Sequence, residues 1–151
     1  MKHIILSLLI LLAVTPVQAQ KKDKRAKAPK EVKLEETSYK IIFQLSTADT
    51  LAHKALMKQI GNMTSVAPAT QIEVVCHGPG LTLIQQSKSK VSEKIKEYAA
   101  KGVVFSACEF SMKERNVARE DILPQAGYVK AGILHIVMRQ DQGWYYIKSG
   151  F

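Results

Sequence analysis

The stretch GVVFSACEFSMKER, residues 102–115, carries a short apolar run into a cysteine and then into a helix-start pattern. GVVFSAC reads as a strand, rich in the branched and aromatic residues that fit a pleated surface. Ser111 and Glu114 match the capping box, in which Ser opens a helix and Glu reaches back to it. A strand that feeds straight into a helix is one half of a β/α unit.

Working outward, residues 91–99 place Val91, Ile95 and Ala99 on the buried side of a helix that ends before Gly102. QIEVVCHG, residues 71–78, is an earlier strand broken by GPG. In TADTLAHKALMKQIGNM, residues 47–63, Ala52, Leu56, Ile60 and Met63 form one helical stripe. Thr47 or Asp49 caps this helix and Gly61-Asn62 ends it. YKIIFQLS, residues 39–46, is a nearly continuous apolar run, as in a strand buried on both faces. Strand, helix, strand, helix, strand predicts an α/β fold with a parallel sheet, since parallel neighbours need a crossover, normally a right-handed helical one. Toward the C-terminus, AGILHIVMRQ, residues 131–140, fits a strand by its Ile and Val content and a helix by its length and flanks. GWYYIKSG, residues 143–150, reads as a closing strand.

The opening residues MKHIILSLLILLAVTPVQAQ have the layout of a secretory signal peptide: a short polar start, an apolar run, and a small residue, Ala19, at the cleavage point. Residues 1–19 are therefore set apart from the fold. The apolar run is short for a membrane span, so no stable membrane insertion is expected. The expected location is outside the cytoplasm, in the periplasm of a two-membrane cell. Residues 20–36 read as a basic flexible tail. Within them KKDKRAKAPKEVK, residues 21–33, holds seven Lys or Arg against two acidic residues, while the chain from Leu34 onward holds fourteen against eleven. The net charge of +9 is thus mainly a property of the tail, and such blocks stay solvated. No aromatic residue interleaves with these charges, so a stacking platform for nucleic acid is not suggested. Residues 37–151 make one domain of ordinary size. With two cysteines in the chain, packing rather than a disulfide framework must hold it together.

In an open parallel sheet, chemistry gathers beyond the carboxyl ends of the strands. Two stretches land there, CHGPGL and ACEFS. HGPG lacks the spacing of a P-loop or dinucleotide fingerprint, so no cofactor is implied, and its glycines, Gly78 and Gly80, fit a tight turn shaping a pocket. Cys108 carries more information. A helix capped at Ser111 would bring free N–H groups and a positive dipole end near the sulfur, and Lys113 adds charge. These favour the thiolate, which is the nucleophile. A buried, inert cysteine is the competing reading from residue types. His77, at the end of the neighbouring strand, can pair with a thiolate or shuttle a proton, or simply satisfy a turn. Cys76 opens a redox alternative, a Cys76–Cys108 disulfide, if the two side chains share a face. His53 and His135 read as packing residues. No C-x-x-C or H-x-x-H spacing supports a metal site.

Four segments together, VVCHGPGL (74–81), GVVFSAC (102–108), DILP (121–124) and QDQGWYYI (140–147), resemble the DsrE/DsrF-like family of sulfur relay and sulfur oxidation. The resemblance implies a three-layer α/β/α sandwich on a mainly parallel sheet of about five strands, assembled as a homo-oligomer, a trimer or hexamer. It also implies that residues 131–140 form the last crossover helix. By the same resemblance Cys108 is the acceptor that carries sulfane sulfur as a persulfide, with a small sulfur compound or a sulfur donor or acceptor protein as partner. Phe110 and Ser111 depart from the small Asn-Thr pair common in that position. Export would remove transfer RNA as a target, leaving no nucleic acid partner. A non-catalytic oligomeric binding module, with Trp144, Tyr145 and Tyr146 at a subunit interface, is the alternative.

Overall fold

The computed structural model describes residue 33 and residues 38–150; the expected signal peptide, and all of the expected basic tail except Lys33, lie outside the described residues. Five strands, β1 (Lys40–Leu45), β2 (Gln71–Cys76), β3 (Val104–Cys108), β4 (Ala126–Val129) and β5 (Tyr145–Ser149), alternate with helices α1 (Thr50–Val66), α2 (Ser92–Ala100), α3 (Glu109–Glu114) and α4 (Gly132–Asp141). The sheet order is β4-β3-β2-β1-β5, and each neighbouring pair is parallel. This is the α/β architecture expected from the alternation of elements.

Strand alternation sorts the core into two layers. Phe43, Leu45, Ile72, Val74, Cys76, Phe105 and Ala107 face one way and pack with Leu56 and Ile60 of α1 and Ile95 of α2. Ile42 and Val75 face the other way, against Ile136 of α4, with Val129 and Trp144 at the margin. Burying a side chain such as Leu56 or Ile60 contributes roughly 1.5–3 kcal/mol. The central strands therefore read as apolar runs because both of their faces are covered.

Asp49 caps α1 by accepting from the Leu51 amide at 2.8 Å. The helix does not stop at Gly61-Asn62 but runs on to Val66. Gly61 serves helix packing instead: a Cβ there would lie 2.6 Å from the Tyr98 hydroxyl of α2. The ambiguous stretch 131–140 resolves as helix from Gly132 onward, and β5, which opens with Tyr145 and Tyr146 directly after Trp144, is an edge strand. β4 has only four residues, one of them glycine, and gives almost no periodicity to read.

Candidate functional site at the end of β3

Cys108 is the last residue of β3 and the residue immediately before α3. Parallel pairing sets Cys76 opposite Ala107, one position short of Cys108. Because side chains alternate along a strand, the two thiols project from opposite faces of the sheet. Cys76 is buried in the layer under α1 and α2. Cys108 lies beneath the start of α4, where the Gly132 amide donates to its sulfur at 3.2 Å. Both cysteines are free thiols. The sequence expectation of a Cys76–Cys108 couple is corrected on this ground, since the sheet itself stands between them.

The helix-start expectation also needs correction. Ser111 does not cap a helix; α3 begins at Glu109, and Ser111 lies inside its first turn. Its hydroxyl instead accepts from the Gly78 amide at 2.9 Å, tying the loop after β2 to the loop after β3. That places Ser111 beside Cys108. Burial pushes the Cys108 thiol up, but the Ser111 hydroxyl and the amides of Ser111, Gly132 and Phe110 outweigh it, leaving the pKa below the ordinary 9.0. Gly132 is the aligned donor, whereas the Phe110 amide gives its own hydrogen bond to the Lys130 carbonyl. Cys76 has no such donors, and burial alone drives its pKa far up. The site thus eases one thiol toward its anion, while burial holds the other neutral. The sulfur is less open than a free nucleophile would be, because Cys108 is only 5% exposed.

Gly132 is needed where it stands. A Cβ on it would lie 3.2 Å from Val75 Cγ1, 3.3 Å from Cys108 Cβ and 3.4 Å from His77 Cβ. Two of these distances put the Cβ atoms of His77 and Cys108 within 3.4 Å of one point, so the structure brings them together. His77 Nε2 lies 2.8 Å from Gln44 Nε2, and the Gln44 carbonyl oxygen accepts from the Tyr146 hydroxyl. Partial burial lowers the His77 pKa, so the ring favours its neutral form.

Two expected site residues fall outside this cluster. Gly80 belongs to a 3-10 helix, Gly78–Leu83, that closes against the end of β1. A Cβ at Gly80 would lie 2.1 Å from the Leu45 carbonyl oxygen, so its role is close packing of backbone on backbone. Lys113 is exposed in the last turn of α3 and does not contribute to the charge on Cys108. His53 is buried and bonded to the Thr47 carbonyl, as a packing residue would be. Asp121 of DILP holds the Ser87 amide, the Gln85 amide group and the Ser87 hydroxyl, which makes that motif a loop clamp.

Sequence reasoning missed a buried carboxylate. Glu73 of β2 is 1% exposed and lies under α4, accepting from His135 Nε2 at 2.6 Å and Arg139 Nε at 2.8 Å. His135 and Arg139 stand one turn apart on α4, so this carboxylate fastens the helix whose first amide meets Cys108. The charged residue in QIEVVCHG was the available signal, since a glutamate amid a central apolar strand requires a partner. Beside the site, Phe110, Tyr128, Lys130, Leu134, His135 and Met138 help to line a groove of about 570 Å³. A more apolar groove of about 350 Å³ lies at the opposite ends of the strands, along Tyr39, Ile41, Thr70 and Tyr145, away from this chemistry. Among the described residues no group of three or more His, Cys, Asp or Glu could hold a metal ion.

No curated protein matches the sequence. A solved structure of a protein of unknown function from Methanobacterium thermoautotrophicum is similar, with a TM-score of 0.69 at 28% identity over 73% of this chain and 98% of that one. The family model for the DsrE/DsrF-like family matches residues 40–149, from the first residue of β1 to the last of β5, and the chain belongs to that family.

Proposed function

We propose that this protein carries sulfane sulfur as a persulfide on Cys108. The observation that carries this reading is the Gly132 amide set 3.2 Å from the sulfur, in a site whose donors outweigh the cost of burial. The thiolate attacks the outer sulfur of a donor R–S–S⁻; the donor's S–S bond breaks, a new one forms on Cys108, and R–S⁻ leaves with the electron pair. Transfer onward is the same exchange run toward an acceptor thiolate. No external oxidant or reductant enters either step. His77, Gly78 and Ser111 frame the sulfur, and the tight cover from α4 favours small or narrow donors. The test is to incubate the full chain with polysulfide or thiosulfate and read intact mass. Wild type is expected to gain sulfur and Cys108→Ser none; equal gain by both would overturn the reading.

The same domain is proposed to self-associate. α4 carries apolar residues away from the sheet as well as toward it: Ile136 faces the sheet, while Ile133, Leu134, Val137 and Met138 are exposed, Leu134 by 70%. A helix of that kind is ordinarily covered on both sides. Leu134→Lys is expected to reduce the mass seen in sedimentation; an unchanged monomer in both forms would remove the proposal. Export through residues 1–19 is proposed from the sequence pattern, and mass measurement of the mature chain after cell fractionation tests it.

A further inference from the structure

A row of polar side chains crosses four adjacent strands on the α4 side of the sheet. Cys108 ends β3, His77 follows β2, Gln44 belongs to β1 and Tyr146 to β5. The last three are joined: the Tyr146 hydroxyl donates to the Gln44 carbonyl oxygen, and the Gln44 amide nitrogen meets His77 Nε2 at 2.8 Å. A carboxamide nitrogen only donates. The ring nitrogen that faces it must therefore accept, which puts the single proton of a neutral imidazole on Nδ1.

We propose that Gln44, oriented by Tyr146, is a positioning residue that fixes the proton of His77 on Nδ1, so that the ring offers a donor to the terminal sulfur of a persulfide on Cys108. The inference rests on the sulfur-carrier reading and deepens it. A Cβ on Gly132 would lie 3.4 Å from His77 Cβ and 3.3 Å from Cys108 Cβ, and Nδ1 is the ring nitrogen nearer to the histidine Cβ. It has no hydrogen-bond partner among the described residues. Without Gln44 the ring would revert to the Nε2–H form that neutral histidine prefers in water, and Nδ1 would turn a lone pair toward an anionic sulfur. Gln44 of β1 meets the His77 ring, and Cys108 of β3 and Gly132 of α4 lie beside its Cβ. Burial, which lowers the His77 pKa, keeps the ring neutral at neutral pH.

The test uses the full chain labelled with 15N-histidine, the His77 signals being assigned by their loss in His77→Asn. At neutral pH the wild-type ring is expected to carry its proton on Nδ1, and in Gln44→Leu on Nε2. The ratio of loaded to unloaded Cys108, at a fixed ratio of persulfide donor to thiol, is expected to fall about ten-fold in Gln44→Leu, the worth of one charge-assisted hydrogen bond. His77→Phe keeps a ring but removes the donor, so it should lower the loading about as far as Gln44→Leu does, and Gln44→Leu added to it should change nothing further. An Nε2–H ring in the wild type, or unchanged loading in Gln44→Leu, overturns the inference while sulfur carriage stands. No sulfur on wild-type Cys108 overturns both. Should Gln44→Leu not fold, Tyr146→Phe takes its place, with a smaller shift in the same direction expected and no shift counting against the inference.

Discussion

The amide of Gly132, first residue of α4, donates to the sulfur of Cys108, last residue of β3, across 3.2 Å. A crossover helix that begins directly above a strand end thus aims its first free N–H at the thiol there. The helix start would be unremarkable without the thiol, and the thiol would be an ordinary buried cysteine without the helix start.

Gly132→Ala tests that contact. The new Cβ would press on Val75, His77 and Cys108 at 3.2–3.4 Å, which only a shift of α4 by a few tenths of an ångström relieves. The amide then moves off the sulfur. Alkylation of Cys108 at neutral pH is expected to slow several-fold, with about 1 kcal/mol lost from stability in urea titration. Alkylation at the wild-type rate would show that the amide does not hold the anion.

The two thiols should separate cleanly by reactivity. Cys108 lies below the ordinary 9.0 and Cys76 far above it. Iodoacetamide at neutral pH is expected to modify one site, mapped by mass to Cys108, and to reach Cys76 only after denaturation. A depressed thiol pKa means that the folded state binds fewer protons than the unfolded one, so this stabilising contribution is present above the unfolded value. It fades as pH falls through the lowered folded value. The thiolate ultraviolet absorbance should therefore titrate below 9.0 in wild type.

Ser111→Ala should move that titration upward, because the hydroxyl supports the anion. It also leaves the Gly78 amide without its acceptor. The expected stability cost is about 1–2 kcal/mol. Ser111→Thr, which keeps the hydroxyl, should restore most of the titration if it fits. An unchanged titration in Ser111→Ala would place the hydroxyl outside the site's electrostatics.

Glu73→Ala is expected to lower stability by about 3 kcal/mol, since it strips the buried partner from His135 and Arg139 while both remain on α4. Their partial exposure holds the figure at the low end. Glu73→Gln, which keeps a carbonyl acceptor, should cost less. If α4 is fastened by this carboxylate, Glu73→Ala should also slow alkylation of Cys108, a change that simple loss of stability would not produce well below the unfolding midpoint.

Much of the frame was legible in the chain. Residues 39–46 and 71–78 announced buried strands because both faces of β1 and β2 are covered, and residues 47–63 showed α1 through its stripe of Ala52, Leu56 and Ile60. The end of α1 was misread because Gly61 looks like a stop in sequence, whereas its missing Cβ makes room for Tyr98 in space. The pattern Ser-x-x-Glu at residues 111–114 matched a capping box, but Cys108 already occupies the boundary, so Ser111 was free to bond across to Gly78. Gln44, Gly132 and Glu73 escaped notice for a shared reason. Each acts on a residue at least 24 positions away, through the pairing of strands or the seat of a crossover helix, and no local pattern records that.

The opposed directions of Cys76 and Cys108 reach beyond their failure to bond. With the chain's other sulfhydryl walled off behind the sheet, Cys76 cannot act as a resolving thiol for a sulfenic acid on Cys108. On the proposed sulfur-carrier reading, whatever unloads or recharges that position has to arrive as a separate reductant or thiol.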